Sequence, residues 1–202
     1  MKVEAAIFDI GNVLLLFDYM KAASRLVEKN GLKILPDRAR VTALCHEFEL
    51  GHSTRAQFLA SVRPEFNDTG AEDGFVAIWE EIFEENRPMI ALSQNLALKI
   101  PIFLISNIGE IHHQFILRKY AFFSIFRDGI YSYRAGLMKP DLAVFELAKS
   151  QFGVNPSTTL YFDDILENCE SAGKAGFIGL HYDHRRKDLP GAWGIPLLDE
   201  MI

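Results

Sequence analysis

Residues Ala5-Ala6-Ile7-Phe8 form an unbroken apolar run that stops at a carboxylate, Asp9, with the turn residues Gly11-Asn12 close behind. A short apolar run bounded in this way reads as a strand buried on both faces, as in parallel sheets. Such strands need helices packed on each side, which restricts the chain to a layered α/β fold. Ligands of open α/β sheets bind outside the carboxyl ends of the strands, so Asp9 is placed at the working edge. The pattern recurs. Pro101-Ile102-Phe103-Leu104-Ile105 ends at Ser106-Asn107, Thr159-Leu160-Tyr161-Phe162 ends at Asp163-Asp164, and Phe177-Ile178-Gly179-Leu180 ends at His181. Gly129-Ile130-Tyr131-Ser132 reads as a short strand leading through Gly136 to Lys139-Pro140-Asp141, where a helix begins. Helical stretches at about 89–99, 110–120, 141–152 and 165–175 alternate with these runs. That alternation predicts a doubly wound parallel sheet.

The composition changes after the first strand. Leu14-Leu15-Leu16-Phe17 is still apolar, but from about 18 to 88 the apolar spacing is helical. Tyr19, Ala22, Ala23, Leu26 and Val27 share one face, with Gly31 as a stop. Pro36-Asp37 opens a second helix carrying Val41, Leu44, Cys45 and Phe48, and Gly51 ends it. Ser53 is the expected N-cap of a third helix. A fourth is expected from about 72 to 85, with Phe75, Ile78, Trp79, Ile82 and Phe83 inward. The expected organisation is a core built from 1–16 and 89–202, with an all-helical block at 17–88 inserted into it.

At 202 residues and 49% hydrophobic, the chain has material for a sizeable core. A net charge of −6 with both signs interspersed gives no basic footprint for nucleic acid. No apolar run reaches membrane-spanning length, and the first residues show no charged-then-apolar leader. Cys45 and Cys169 have no ligand-like spacing and read as reduced thiols. A cytoplasmic protein without membrane or nucleic-acid partners is expected, as a monomer or weak homodimer.

Four pieces gather at the carboxyl ends of the strands: Asp9, Ser106-Asn107, Lys139 and Asp163-Asp164. Each has a job if the substrate is a small phosphate ester. A carboxylate can attack phosphorus and divide hydrolysis into two steps through an aspartyl-phosphate. Two anions repel, so Lys139 and a Mg²⁺ held by carboxylate oxygens would supply the opposing charge. Ser106 and the amides after it can donate to the phosphoryl oxygens. Singly, each piece has a plainer reading: a turn at Ser106-Asn107, a solvated lysine, and a helix cap at Asp163-Asp164 before Ile165.

In this order the pieces resemble the haloacid dehalogenase-like (HAD) hydrolases, nearly end to end. The first motif of that family is similar to Phe8-Asp9-Ile10-Gly11-Asn12-Val13, the second to Ile105-Ser106-Asn107, the third to Lys139-Pro140 and the fourth to Tyr161-Phe162-Asp163-Asp164 with Asn168. The helical block resembles the family's helical cap, inserted just after the first strand. The resemblance implies a Rossmann-like core with Asp9 as nucleophile, and Ser106, Asn107 and Lys139 around the phosphoryl group. It implies Mg²⁺ held by Asp9, the backbone carbonyl of Gly11 and Asp164, with Asp163 on a metal-bound water or supporting Lys139.

Most phosphatases of the family carry a second aspartate two positions after the nucleophile, where this chain has Gly11. That aspartate protonates the leaving group, help worth about 10² to 10⁴ in rate. The Asp-x-Gly-Asn pattern resembles a branch that includes bacterial sugar-1-phosphate phosphatases, whose leaving oxygen is less basic. A sugar 1-phosphate is therefore one expected substrate. The cap residues His46, Glu47, Glu49, His52 and Arg55 are candidates for the missing acid, and Phe17 and Phe48 for the cleft wall. Two other functions compete. A metal-independent 2-haloacid dehalogenase also lacks the second aspartate, though it leaves Asp163-Asp164 unexplained, and a non-enzymatic binding protein could keep the fold. His112-His113, His181 and His184 are not expected to hold a second metal, and Arg185-Arg186-Lys187 reads as a solvated loop.

Overall fold

The computed structural model describes residues 2–185. Residues 186–202 lie outside the described residues, and with them the end of the expected core and Arg186-Lys187 of the basic run. The chain runs β1 (Ala5–Phe8), β2 (Leu15–Phe17), α1 (Tyr19–Lys29), α2 (Arg38–Glu49), α3 (Arg55–Val62), α4 (Glu72–Glu80), β3 (Phe83–Glu85), α5 (Arg87–Ala97), β4 (Ile102–Ser106), α6 (Glu110–Lys119), β5 (Asp128–Tyr131), α7 (Ser132–Ala135), α8 (Leu142–Phe152), β6 (Thr159–Asp163), α9 (Leu166–Lys174) and β7 (Ile178–His181).

Among the described residues five strands form one sheet in the order β5-β4-β1-β6-β7, every pair parallel. Side chains alternate between its faces, and both faces are buried. Ala6, Phe8, Ile102, Leu104, Leu160 and Phe162 point into one layer with Met89, Leu92 and Leu96 of α5 and Phe115 and Ile116 of α6. Ala5, Ile7, Phe103, Ile105 and Tyr161 point into the other with Val144, Phe145 and Ala148 of α8 and Ala172 of α9. Burial on both sides is why these strands read as continuous apolar runs. The chain leaves β1 at the centre, builds one side with β4 and β5, and returns to the other with β6 and β7. The crevice beside β1 is the position where such sheets bind ligands.

α1 to α4 surround a third apolar cluster. It holds Ala22 and Leu26, Phe48, Phe58 and Leu59, Phe66, Phe75 and Trp79, closed from below by Ile111 of α6. Asp18 and Asp37 cap α1 and α2. The third helix is capped by Thr54, not Ser53, because Gln57 completes a reciprocal capping box with Thr54. The block is not all-helical. α4 stops at Glu80, and Phe83–Glu85 pairs antiparallel with Leu15–Phe17. Ile78, Trp79, Ile82 and Phe83 keep a helical rhythm that hides this strand, and its partner lies far back in the sequence. Among the described residues no helix is long and apolar enough to cross a membrane. Cys45 and Cys169 are free thiols.

His112 ties α6 to the helical block. It is buried, stacked on Trp79 and edge-on to Phe83, and its Nε2 donates to the Trp79 carbonyl at 3.0 Å. Burial lowers its pKa to about 4, against a smaller opposing effect of that hydrogen bond. The unfolded chain takes up this proton near 6.5 and the folded chain only near 4. Stability is therefore complete above about 6.5 and is lost as pH falls towards 4, by up to about 3 kcal/mol. Urea unfolding across that window is expected to show the slope, and His112→Leu to flatten it. An unchanged slope in the variant would remove His112 as its source.

Candidate active site

β4, β1 and β6 are neighbours, so the residues at their carboxyl ends stand side by side. Asp9 follows β1, and its amide donates to the Phe162 carbonyl of β6 at 2.8 Å. Ser106 closes β4 and Asp163 closes β6, both buried. Lys139, 5% exposed, comes in from the loop before α8. Its Nζ lies 2.8 Å from Asp9 Oδ1 and 2.7 Å from Asp163 Oδ2. The loop is held by Asn107, whose Nδ2 donates to the Lys139 carbonyl and whose Oδ1 accepts from the Lys139 amide, each at 2.9 Å. The Asn107 side chain is thus committed to the backbone of Lys139.

Asp163 is fully engaged. Its Oδ2 accepts from Lys139 and from the Tyr161 hydroxyl, and its Oδ1 accepts from Asn168 Nδ2 at 3.0 Å and the Ile165 amide at 2.9 Å. Asp164 is half-buried and accepts from Asn12 Nδ2 at 3.0 Å. Asn12 sits at φ 54, a left-handed conformation that asparagine tolerates, and this turns its amide across from the β1 loop to Asp164. His181 Nε2 donates to the Asp164 carbonyl at 3.0 Å.

Carboxylate oxygens of Asp9, Asp163 and Asp164 lie within 4.8 Å of one another, the one such cluster of potential metal ligands among the described residues. Among the described residues these three carboxylates share one buried ammonium, with the exposed Arg185 acting on Asp164 more weakly, so negative charge predominates in a largely buried space. Burial raises Asp9 above the ordinary carboxylate range; Lys139 pulls against it, while Asp163 and Asp164 push the same way as burial. Burial also opposes ionisation of Asp163, but Lys139 and the hydrogen bonds from Lys139, Tyr161 and Ile165 outweigh it and hold the carboxyl below its usual value. Asp164 is raised, chiefly by burial. Burial would lower Lys139, yet Asp163 and Asp9 together keep it above its ordinary value. All-oxygen donors with that excess charge fit a hard divalent cation.

A Cβ built on Gly11 would stand 2.8 Å from Phe17 Cε1. The Phe17 ring occupies the space where a side chain at position 11 would begin. The helical block meets the same loops elsewhere. Phe48 lies against Gly109, and Glu49 Cγ is 3.7 Å from the Cβ position there. Ser132 Oγ bridges the Glu49 carbonyl and the Ile108 amide. Gly51, at φ +74, presses on the Tyr133 carbonyl, where any Cβ would collide.

Of the cap candidates, Glu49 is the one turned inward. Its Oε1 accepts from the Tyr19 hydroxyl at 3.0 Å, and burial pushes its carboxyl up to about 7 despite that hydrogen bond. His52 and Glu47 pair on the surface at 3.0 Å, and Arg55 reaches Glu72. The sequence does not signal these contacts of Asn12, Tyr161 and Ser132. Their partners lie in other loops, except for Tyr161, whose period-two position beside Asp163 is visible in the chain.

The family profile of haloacid dehalogenase-like hydrolases matches residues 3–176. A sesquiterpene phosphatase of Aspergillus oryzae is 40% identical over 55 residues, which is 27% of this chain and 28% of that protein. A HAD family enzyme of Bacteroides thetaiotaomicron, crystallised with magnesium and inorganic phosphate, superposes with a TM-score of 0.82 at 20% identity, over 95% of this chain and 99% of the other. A predicted HAD-like hydrolase of Porphyromonas gingivalis follows at 0.75 and 19% identity, over 95% and 97%.

Proposed function

The chain belongs to the haloacid dehalogenase-like hydrolases, and from that premise we propose that it is a Mg²⁺-dependent phosphatase of a small organic phosphate monoester. The observation that carries the proposal is the clustered group of Asp9, Asp163 and Asp164, whose negative charge the one buried ammonium among the described residues, Lys139, balances only in part. Dehalogenation at carbon gives no reason for such a cluster. The sesquiterpene phosphatase and the magnesium–phosphate complex of the Bacteroides enzyme support the same chemistry.

In this proposal 17–88 is a cap on a core of 1–16 and 89–202, joined through the β2–β3 ribbon. Asp9 attacks phosphorus, a bond forms from its carboxylate oxygen, and the bond to the ester oxygen breaks. Lys139 neutralises one phosphoryl oxygen, and Ser106 with the amides after it donates to the others. Asn107 acts through Lys139, as a positioning residue. Mg²⁺ would be held by Asp9, the Gly11 carbonyl and Asp164, with the saturated Asp163 reached through water, and would supply positive charge against the phosphoryl oxygens. Glu49 replaces the acid absent at position 11. It gives a proton to the departing oxygen and takes one back from the water that hydrolyses the aspartyl-phosphate, which frees Asp9 and inorganic phosphate.

The reading is tested by phosphate release from p-nitrophenyl phosphate, sugar phosphates and nucleotides with Mg²⁺ and with EDTA. Release that needs Mg²⁺ is expected. Chloride release from 2-chloropropionate in EDTA, with no phosphate release in Mg²⁺, would overturn it. Glu49→Gln is expected to slow alkyl phosphates about 10²-fold and aryl phosphates less than about tenfold, because a phenolate leaves with little acid help. Equal losses would remove Glu49 as the acid. A preference for sugar 1-phosphates over sugar 6-phosphates that survives Glu49→Gln would favour the anomeric reading of Gly11 instead.

A further inference from the structure

A cavity of about 720 Å³ lies between α1 and α2. Met20, Ala23, Leu35, Val41, Phe66 and Trp79 are among its walls. Its size is that of a ligand site rather than a packing defect. The helices around it are incompletely packed. Val41, Leu44 and Cys45, the apolar face of α2, are only half-buried, and Phe48 is the one fully buried residue of that helix. Large apolar residues left in solvent also gather here, with Tyr19 37%, Met20 46%, Leu35 46% and, next to Leu35, Ile34 79% exposed.

Two walls of the cavity reach the catalytic loops. Phe17 lines it and is also the ring lying on Gly11, two residues from Asp9. Glu49 lines it and borders Gly109, three residues beyond Ser106. The glycine that removes an aspartate from the nucleophile loop thereby admits an apolar wall. We infer that the cavity receives the alcohol part of the substrate, and that this alcohol is a lipophilic chain rather than a sugar. The inference rests on the phosphatase reading and deepens it.

The polar groups inside do not favour a polyol. The Tyr19 hydroxyl donates to Glu49 Oε1 at 3.0 Å, and the thiol of Cys45 is pushed up to about 12 by burial, so it stays neutral. The lining residues Asp18, Arg38 and His46 are exposed. Sugar hydroxyls entering such a space would lose water without gaining enough partners, whereas each buried methylene gains.

The test uses the full chain with Mg²⁺ and a series of butyl, octyl and dodecyl phosphates, beside p-nitrophenyl phosphate. kcat/KM is expected to rise with chain length, by up to about fourfold per buried methylene, until the cavity is filled. Ala23→Trp, which fills the cavity, is expected to collapse the dodecyl-to-butyl ratio at least tenfold. A flat series with p-nitrophenyl phosphate still hydrolysed overturns the inference and leaves the phosphatase reading standing. If nothing is hydrolysed, that reading fails, and calorimetric titration of Asp9→Asn with octyl and dodecyl phosphate decides the cavity separately. Tighter binding of the longer chain, lost in Ala23→Trp, supports it; no chain-length dependence overturns it. A cavity covered by a second copy of this chain would appear as a dimer in light scattering that binds no alkyl phosphate, which also overturns it.

Discussion

Asp9→Asn is expected to reduce phosphate release by about 10⁴-fold or more while leaving the protein at least as stable. Asparagine keeps the shape of the side chain and an acceptor for Lys139, so the loop geometry at β1 is retained. What it removes is the nucleophilic oxygen, and with it the covalent step. It also removes one of three clustered carboxylates, the one that burial and its two neighbours hold above the ordinary range. Lys139 keeps Asp163 at 2.7 Å. Relief of like-charge repulsion offsets the lost ion pair, so melting should shift little or upward. Acid-quenched wild-type protein should carry phosphate on Asp9 and the variant none. A variant that retains more than a tenth of wild-type turnover would show that the attacking group lies elsewhere.

The strand ends were legible because each apolar run stops at a polar residue, and the sheet then sets three of those ends side by side. Asp9, Asp163 and Asp164 come within ligand distance for that reason, and Lys139 reaches them from the loop before α8, which Asn107 ties to the end of β4. Contacts that depend on a partner elsewhere in the chain were not legible. Phe83–Glu85 continues a helical rhythm, and only its pairing with Leu15–Phe17 makes it a strand. Asn107 sits where a phosphate ligand was expected, yet its amide serves the Lys139 backbone. Glu49 was one of five polar residues at a helix end, and only docking onto Gly109 and Ser132 separates it from Glu47 and His52. Gly11 could be read as a missing acid, but not as the seat of the Phe17 ring. Ser53 and Thr54 are both able caps, and Gln57 settles the choice.

Lys139→Met is expected to cost both the reaction and the fold. Lys139 is 5% exposed and is the ammonium shared by Asp9 and Asp163. Methionine fills a similar volume but deprives those carboxylates, with Asp164 beside them, of their buried cation. Breaking a buried ion pair from one side typically costs about 3–5 kcal/mol, far more than the pair's own worth, because the remaining charge stays desolvated. The deficit has a definite pH dependence. In the wild type Lys139 is the main influence lowering Asp163 against burial; in the variant the hydrogen bonds from Tyr161 and Ile165 remain against burial at Asp163, and Asp9, already raised, loses the ammonium that pulls it down, so the carboxyls of the cluster are expected to shift upward. A folded state with raised carboxyl values binds protons that the unfolded chain has released, so the variant recovers as pH falls and weakens as pH rises. The difference from wild type should be smaller near pH 4 than near pH 8, where every carboxyl of the cluster is ionised in the unfolded chain, and taking the difference cancels the opposite slope from His112. Urea unfolding of both proteins at the two pH values measures it. Adding Asp163→Asn should return part of the loss, since the two residues are in contact and their effects do not add. A deficit equal at both pH values would mean that Lys139 contributes packing alone and does not balance charge in the cluster.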